Sequence, residues 1–240
     1  MISHALIFAA GRGERLRPLT DATPKPLLLA GGKRLIERHL EALAAAGVRH
    51  VVINTSHLAE QFPAALGDGA RWNVQIAYSY EGPQPLETGG GMLHALPLLG
   101  AGPFIAVNGD IWTDFDFSTL PQNPHGLAHL VLVDNPADHR DGDFGIAADG
   151  SLHPYPDQIA GLRALTFAGI GAYRPELLRD WEQIATRTVV RERAAPRFST
   201  VPLLRARMAL HQVSWQHHAG AWADIGTPQR LAELDSQCRR

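Results

Sequence analysis

Short apolar runs alternate with segments of helical periodicity through the first half of the chain. The apolar runs predict buried strands at residues 5–9, 50–54, 74–78 and 104–107. Apolar residues at helical spacing predict helices over residues 34–46, 57–66 and 88–98. Within the second helix, Pro63 indicates a kink or a later start. Strands and helices that alternate in this way favour crossover connections and a mostly parallel sheet.

The second half keeps the strands but loses the regular alternation. Strands are predicted at residues 130–133, 165–173 and 213–217, with a hairpin formed by residues 144–146 and 151–153. The Asp149-Gly150 pair supplies the turn of that hairpin. Helices are predicted over residues 175–181, over 201–210 and from Pro228 onward. The charged stretch 186–198 has little periodicity and is interpreted as a loop or mobile flap. Because no linker or repeat interrupts the pattern, the sequence predicts a single domain over residues 1–240.

Composition excludes several classes of protein. The 240 residues are 45% hydrophobic and 19% charged, as in ordinary globular domains. A formal charge of −2 and a pI near 6.6 give no indication of a nucleic-acid partner. The single cysteine, Cys238, excludes a disulfide scaffold and a cysteine-rich zinc module. With no signal-like segment and no apolar stretch of about 18 residues, the sequence predicts a soluble, cytoplasmic protein without a membrane partner.

The basic residues are distributed unevenly between the two types. Of the 22, only Lys25 and Lys33 are lysine, and the remaining positions are arginine. A lysine kept in such a background indicates a need for a compact ammonium that a planar guanidinium does not copy. Survival of two lysines by chance is the alternative. The histidines are scattered and form no H-E-x-x-H motif, so they do not indicate catalytic zinc.

The most specific segment is LIFAAGRGERLRPLT, residues 6–20, followed by Thr23-Pro24-Lys25-Pro26. Small residues after a strand let the backbone approach a ligand, and successive N–H groups in such a turn bind anions. Arg15 and Lys25 add positive charge for the same phosphates. The string is not a Walker A loop, and Leu16 replaces the third glycine of the dinucleotide fingerprint.

This string resembles the signature of the sugar-1-phosphate nucleotidyltransferases, which join a nucleoside triphosphate to a sugar 1-phosphate and release pyrophosphate. Further motifs of the family recur in order: PLETGGG at 85–91, VNGD at 107–110, residues 167–169 and WADIGT at 222–227. The resemblance implies a Rossmann-like three-layer α/β sandwich with a mixed, mostly parallel sheet, the nucleotide-diphospho-sugar transferase fold. Its nucleotide-binding half would span about residues 1–120 and its sugar-binding half about residues 121–240.

The resemblance and the residues together indicate two catalytic cations and a Mg²⁺ site. Arg15 is assigned to the triphosphate and Lys25 to the α-phosphate and the attacking phosphate. Asp110 follows a strand at its carboxyl end, where ligands bind in open α/β sheets. Asp224 lies in a locally apolar strip, so a partner is expected. Mg²⁺ held by these two aspartates and by phosphate oxygens would complete the site, whereas each aspartate alone could equally be a turn or cap residue.

The substrate contacts are assigned from the same motifs, for UTP and a sugar 1-phosphate. The predicted nucleotide-binding residues are Ala9, Ala10, Gly11, Arg12, Gly13, Lys25, Gly82, Glu87, Thr88, Gly89 and Gly90. The predicted sugar-binding residues are Asn108, Asp143 and Gly169. Two alternatives remain open, because the glycines at 89–91 could merely begin a helix and Asp143 could cap a turn.

One departure from the family pattern concerns the acceptor phosphate. Many relatives hold it with a mid-chain lysine, but no lysine follows Lys33 here. Arg163, Arg191, Arg193 and Arg197 are candidate replacements that the sequence does not distinguish. LETGGG, VNGDIWTD and HLVLVDNP most resemble a uridylyl-transferring branch that acts on a muramyl phosphate. The muramyl group carries a lactyl carboxylate, which calls for a further cation in the enzyme. The arginine-rich residues 187–197 would supply that cation as a flap, unless they form a solvated loop.

Other functions are weighed against this one. The same chemistry could join GTP to mannose 1-phosphate or dTTP to glucose 1-phosphate. A non-catalytic sugar-nucleotide-binding subunit is disfavoured, because such a protein could lose Arg15, Lys25, Asp110 and Asp224 freely and all four are present. The predicted assembly is a monomer or a weak homo-oligomer.

Overall fold

A computed structural model describes residues 1–154, 161–185 and 195–239. The elements of its first half are β1 (His4–Phe8), α1 (Leu19–Ala22), β2 (Leu29–Ala30), β3 (Lys33–Arg34), α2 (Leu35–Ala45), β4 (His50–Thr55), α3 (Gln61–Leu66), β5 (Gln75–Tyr80), α4 (Glu87–Leu99) and β6 (Phe104–Asn108). The predicted strands and helices of this half are confirmed. α3 starts later than residue 57, which places Pro63 in its first turn, where the ring meets no preceding carbonyl of the helix.

The second half continues with β7 (Ile111–Thr113), β8 (Ala128–Val133), β9 (Phe144–Ile146), β10 (Leu152–Pro154), β11 (Arg163–Tyr173), α5 (Trp181–Ile184), α6 (Val201–Met208), β12 (Val213–His217), β13 (Trp222–Asp224) and α7 (Pro228–Cys238). The helix predicted over residues 175–181 is wrong. Pro175–Leu178 form a 3-10 turn, and Asp180 adopts a left-handed conformation at φ 60°, which separates that turn from α5. Of the predicted flap, residues 186–194 lie outside the described residues.

The main sheet is mixed. Across the described residues its order is β10-β9-β11-β6-β1-β4-β5, with β8 beside β11 and β12 beside β8. Parallel pairs join β1 to β4 and β6, β4 to β5, and β8 to β12. β11 instead runs antiparallel to β6, β8 and β9, and the predicted hairpin is confirmed as β9–β10. The parallel character therefore predominates in the first half of the chain.

Side chains alternate between two apolar layers, one on each face of the sheet. In β1, Ala5 and Ile7 pack with Leu40 of α2 and Phe62 of α3 in one core cluster. Leu6 points to the opposite face, into a second cluster formed with residues from α4 and α6. The same alternation recurs in β4 and β6, because successive side chains of a strand point to opposite faces. The predicted three-layer α/β sandwich is confirmed.

Two pairings bring distant polar residues to one edge of the sheet. β1 and β6 lie in register, so that Phe8 pairs with Asn108, and the Gly109 N–H donates to the Phe8 carbonyl at 2.9 Å. A separate two-stranded sheet joins β13 to β7, with Asp224 opposite Ile111. The Ile225 N–H also donates to the Asp110 carbonyl at 3.0 Å. The segment after β1, Asp110 and Asp224 therefore converge at the carboxyl edge.

Across the described residues, no helix combines the length and the apolar character needed to cross a bilayer.

A buried histidine supports the segment that carries Asp110. His39 of α2 is only 3% exposed, and its Nε2 lies 3.0 Å from the Ile111 carbonyl oxygen. Because a carbonyl only accepts, this nitrogen carries the proton and donates. Burial lowers the pKa of His39 to about 4, against the opposing effects of this hydrogen bond and of the Asp110 charge. The folded protein therefore holds His39 neutral well below the pH at which an exposed histidine would be protonated.

We expect acid to destabilise the protein through His39. Below about pH 6.5 the unfolded chain binds a proton here that the folded chain takes up only near pH 4, so stability falls across that interval. The free energy of unfolding should drop by about 2 to 3 kcal/mol between pH 7.5 and pH 4.5 from this residue alone. Urea unfolding of the wild type and of His39→Gln, whose amide can still donate to Ile111, measures the difference. Parallel pH dependences of the two proteins would contradict the assignment.

Candidate active site

A cleft of about 540 Å³ opens at the carboxyl edge of the sheet. Its walls come from the loop after β1, the ends of β4, β5 and β6, the start of α4 and the segment after β13. The residues that line it are Phe8, Ala9, Ala10, Gly11, Gly13, Glu14, Arg15, Leu16, Lys25, Pro26, Asn54, Glu81, Pro85, Glu87, Thr88, Asn108, Asp110 and Gly226. Many predicted nucleotide-binding residues are therefore brought together in one place.

The loop after β1 is held by its own contacts. Gly13 has φ 63°, and its carbonyl accepts from the Leu16 N–H and from the Thr20 hydroxyl, both at 2.9 Å. A Cβ at Gly13 would lie 2.8 Å from the Thr20 methyl, so a side chain is excluded by both conformation and space. Gly11, in contrast, has no atom within 4 Å of its Cβ position, which leaves its surface open to the cleft.

Lys25 lies between the two predicted metal-binding carboxylates. Its side chain is 8% exposed, and its Nζ donates to Asp110 Oδ2 at 2.7 Å and lies 3.6 Å from Asp224 Oδ1. A buried ammonium needs such partners, since an unpaired charge would be costly to remove from water. Both aspartates thus reach the same nitrogen, and the compact shape of lysine fits between them.

Two arginines lie near the other carboxylate oxygen of Asp224, Oδ2. Arg15 Nη2 lies 3.6 Å from Asp224 Oδ2, although the Arg15 side chain is 70% exposed and projects along the cleft. Arg230 Nη1, from α7, lies 3.4 Å from the same oxygen and donates to the Asp224 carbonyl at 3.1 Å. The partner expected for Asp224 is therefore a set of three cations, of which sequence reasoning found Arg15 and Lys25 and missed Arg230.

The donor set limits the metal that this site could hold. Among the described residues, no group of three histidine, cysteine, aspartate or glutamate side chains comes together. Asp110 and Asp224 offer carboxylate oxygens that converge on one point, the Lys25 ammonium. Two carboxylates with phosphate oxygens from substrates suit an oxygen-preferring divalent ion that keeps part of its water shell.

A buried polar chain that sequence reasoning missed supports the loop after β1. Asn54 Oδ1 accepts from the Ala9 N–H at 2.6 Å, and its Nδ2 donates to Glu81 Oε1 at 2.6 Å. The second oxygen of Glu81 accepts from the Leu86 N–H at 2.7 Å. Burial raises the pKa of Glu81, and the hydrogen bonds from Leu86 and Asn54 act in the opposite direction. The available signal was position in the sequence, because Asn54 ends one predicted parallel strand and Glu81 follows shortly after the next.

The hydrogen bond between Asn54 and Glu81 requires glycine at position 91. A Cβ there would overlap Glu81 Oε1 and lie 2.8 Å from Asn54 Nδ2. We expect Gly91→Ala to displace the Glu81–Asn54 pair, to loosen the Ala9 loop and to raise the KM for the nucleotide about 10-fold, the cost of one hydrogen bond between charged and neutral groups.

Steady-state kinetics with a matched glycine variant test this expectation. Gly102→Ala is the control, since Gly102 has no atom within 4 Å of its Cβ position and lies outside the cleft. Equal nucleotide KM values for the two variants would show that the Glu81–Asn54 chain does not support the loop.

The start of α4 binds another part of the chain. The Gly89 and Gly90 N–H groups both donate to the Phe198 carbonyl, at 2.9 and 3.0 Å, so these donors already have a protein partner. Thr88 and Glu87 line the cleft, and Glu87 pairs with Arg197 at 3.0 Å. The base contacts of these four residues remain predictions.

Gly82 and Arg12 lie at the margin of the cleft. Gly82 has φ 89°, and its carbonyl accepts from the Ser56 hydroxyl at 2.7 Å. Arg12 donates to the Pro83 carbonyl at 3.3 Å and, with Arg197, lines a smaller adjoining cleft rather than the main one. Both remain predicted nucleotide contacts.

A second cleft of about 360 Å³ adjoins the first. The residues that line it are Arg15, Asn108, Asp110, Ile111, Pro136, Asp138, His139, Thr166, Phe167, Ala168, Gly169, Trp222, Asp224 and Arg230. Arg15, Asn108 and Asp110 also line the first cleft, so the two clefts meet there. Gly169 has φ 74° at a break in the register of β11, and a Cβ there would lie 2.7 Å from the Asn108 amide. Two predicted sugar-binding residues thus face the second cleft together.

Asp143, the third predicted sugar-binding residue, lies outside this cleft. Its Oδ2 accepts from the Phe167 N–H at 2.8 Å, and its Oδ1 lies 3.1 Å from His139 Nε2. It borders a neighbouring cleft of about 690 Å³ instead. The contacts of its carboxylate are with two residues that line the second cleft, Phe167 and His139, so it supports that wall from behind.

The arginines proposed to replace the missing lysine are separated in space. Arg163 pairs with Asp134 at 3.1 Å and lines neither the first nor the second cleft, while Arg197 lies on the nucleotide side. Arg191 and Arg193 lie outside the described residues. Arg230 does line the second cleft. Its position six residues after Asp224, in the first turn of the last predicted helix, is the signal that could have identified it.

Sequence comparison agrees with this geometry. Residues 4–163 match the family described as Nucleotidyl transferase. The chain is 48% identical over 239 residues to an N-acetylmuramate alpha-1-phosphate uridylyltransferase of Neisseria meningitidis, covering 97% of this chain and 96% of the relative. It is 32% identical to a protein of the same name from Caulobacter vibrioides, with coverage of 98% and 96%. A mannose-1-phosphate guanyltransferase of Aspergillus fumigatus is 31% identical, with 94% of this chain covering 61% of that protein.

Structural comparison supports the same fold. A Bacillus anthracis protein named as a glucose-1-phosphate thymidylyltransferase, solved with bound sucrose, superposes with a TM-score of 0.77. The match covers 98% of this chain and 95% of that protein at 18% identity. The family match over two thirds of the chain and the near full-length relatives lead to one conclusion: this chain is an enzyme of the sugar-1-phosphate nucleotidyltransferase family.

Proposed function

We propose that the enzyme transfers UMP from UTP to N-acetylmuramate α-1-phosphate, giving UDP-N-acetylmuramate and pyrophosphate, as a step of peptidoglycan recycling. The observation that carries the proposal is the 48% identity to the Neisseria meningitidis relative over nearly the whole of both chains. The adjoining clefts support it, because they offer separate places for a nucleotide and a sugar on either side of Asp110.

The chemistry needs no nucleophile from the protein. A phosphate oxygen of the sugar phosphate attacks the α-phosphorus of UTP, and the bond from that phosphorus to the bridging oxygen of pyrophosphate breaks. Since two anions must meet, the enzyme contributes positioning and positive charge. We assign this role to Lys25, whose partner Asp110 lines both clefts, and we assign the departing pyrophosphate to the exposed Arg15.

Mg²⁺ is part of the proposal. Asp110 and Asp224 would hold it, and their two carboxylates, together with substrate phosphates, fit the oxygen ligands that Mg²⁺ prefers. When bound, the ion would neutralise phosphate charge. Lys25 holds both carboxylates toward the same point, and Arg230 holds the backbone carbonyl of Asp224.

The organisation of the chain belongs to the same proposal. We place one nucleotidyltransferase domain over residues 1–240, with the nucleotide side near residues 1–120 and the sugar side near 121–240. Residues of both halves meet in each core cluster, as Ile7 and Ile170 do in one of them, which supports this organisation. A cytoplasmic location, and a monomer or weak homo-oligomer, complete the proposal.

Pyrophosphate release tests the proposed substrates. The purified protein, with Mg²⁺, is assayed with UTP, GTP and dTTP against N-acetylmuramate α-1-phosphate, mannose 1-phosphate and glucose 1-phosphate. We expect the UTP and N-acetylmuramate α-1-phosphate pair to give the highest kcat/KM. The mannose-1-phosphate guanyltransferase relatives make GTP with mannose 1-phosphate the second candidate. Higher efficiency for that pair would overturn the proposed substrates, and binding of UTP without turnover of any acceptor would overturn the proposed reaction.

A further inference from the structure

Arg230 holds an exposed carboxylate with one guanidinium nitrogen, Nη2, at the wall of the second cleft. Its Nη2 pairs with Asp138 Oδ2 at 2.5 Å, and its Nη1 holds the Asp224 carbonyl at 3.1 Å. The Arg230 side chain is 27% exposed, whereas that of Asp138 is 64% exposed on the loop between β8 and β9. One side of the guanidinium is thus fixed to the active site, and the other side holds a carboxylate that solvent reaches.

The Asp138 carboxylate shows which chemistry this position accepts. A guanidinium N–H binds a carboxylate through a charge-assisted hydrogen bond, and an ion pair whose carboxylate is largely exposed contributes little. A carboxylate of a bound molecule could therefore replace that of Asp138 on Nη2 without leaving the arginine unpaired. The exchange would release Asp138 to water, where a carboxylate is well solvated.

Lys25, the proposed contact of the acceptor phosphate, lies apart from Arg230 in the same region. Lys25 contacts Oδ1 of Asp224, while Arg230 contacts Oδ2, so the two cations lie on different oxygens of that carboxylate. Lys25 is next to Asp110, where the clefts join, and Arg230 lies farther along the wall with Asp138 and His139. The position of Arg230 suits a second anionic group on the acceptor, separate from its phosphate.

We propose that Arg230 is the specificity residue that binds the carboxylate of the acceptor, with Asp138 as the internal carboxylate that the acceptor displaces. This inference rests on the proposed function, since it requires an acceptor that carries both a phosphate and a carboxylate. It assigns to Arg230 the cation that the lactyl group of a muramyl phosphate demands. Arg230 thereby selects sugar phosphates that carry a carboxylate over sugar phosphates that have the same ring and no carboxylate.

The test compares two acceptors that differ in the lactyl group, N-acetylmuramate α-1-phosphate and N-acetylglucosamine α-1-phosphate. In Arg230→Gln, the ratio of kcat/KM for the first acceptor to that for the second should fall about 10- to 10²-fold, the loss of one charged hydrogen-bonded contact. The loss should lie mainly in KM. Asp138→Asn, which removes the competing charge and keeps the shape, should instead lower the KM for the carboxylate-bearing acceptor relative to the other.

Each other outcome contradicts the assignment. Equal losses on both acceptors would show that Arg230 only holds Asp224 in place, and an unchanged ratio would show that it contacts no substrate carboxylate. Calorimetric titration of the two acceptors into wild type and Arg230→Gln gives the same comparison without turnover. A protein that binds N-acetylmuramate α-1-phosphate through Arg230 but does not use UTP would overturn the proposed function and leave the carboxylate subsite standing.

Discussion

Replacement of Lys25 by methionine should lower kcat about 10²-fold or more, as expected for a lost electrostatic contact in the transition state. The residue is 6% exposed and lies within 3.6 Å of both Asp110 and Asp224. Methionine keeps most of the buried stem, so packing changes little while the ammonium disappears. The α-phosphorus then gains negative charge beside two carboxylates that have lost their shared partner. Initial rates of pyrophosphate release at saturating substrates measure the effect.

The chain supplies its own control for this prediction. Lys33, the other lysine, pairs with Glu41 at 2.7 Å on the surface and lines neither the first nor the second cleft. Lys33→Met should therefore keep kcat within about 2-fold, because exposed ion pairs contribute little. Lys25→Arg keeps the positive charge but changes the shape of the group that carries it. The larger, planar guanidinium cannot occupy the space between two aspartates as the ammonium does. Near-normal turnover by Lys25→Met would remove Lys25 from the proposed chemistry.

Asp110→Asn should have the second large effect, lowering kcat/KM about 10³-fold and raising the Mg²⁺ concentration needed for half-maximal rate. The amide keeps the shape of the side chain but removes the charge that a divalent ion needs. It also removes the negative charge that pairs with Lys25 at 2.7 Å. Because the two residues act as one unit, the double variant with Lys25→Met should lose far less than the product of the single losses.

A neighbouring aspartate provides the comparison. Asp114 lies on the segment after β7, and its carboxylate contacts His218 Nε2 at 2.9 Å, away from both clefts. Asp114→Asn should leave the Mg²⁺ dependence as in the wild type. If Asp110→Asn kept the wild-type Mg²⁺ dependence, or if its loss multiplied fully with that of Lys25→Met, the shared site would be refuted.

Local patterns predicted the framework of the nucleotide side well. The apolar run of β1 followed by small residues predicted a buried strand and a tight turn, and Gly13 at φ 63° satisfies the turn through its own carbonyl. By contrast, the helix predicted over residues 175–181 failed, because its helical spacing did not reveal the left-handed conformation of Asp180. A pattern of apolar residues reports which face is buried but not where the backbone changes direction.

The sugar side depended much more on long-range contacts. The pattern did not predict β7 or β13, each of three residues, and their pairing places Asp224 opposite Ile111. Arg230 follows in α7, and Asp143 turned out to contact Phe167 and His139 from outside the second cleft. None of these relations is local, so the spacing of residues carries no information about them.

The amino-acid sequence by itself determined the α/β class of fold and the tight turn after β1, because strand burial and turn chemistry are properties of neighbouring residues. Its resemblance to the family singled out Lys25, Asp110 and Asp224 as candidate site residues. Tertiary structure alone decided that one buried ammonium lies between two aspartates far apart in the chain, that Asn54 and Glu81 support the Ala9 loop, and that Arg230 faces the second cleft. The reason is physical: such contacts follow from strand register and helix docking, which the packing of the whole core fixes.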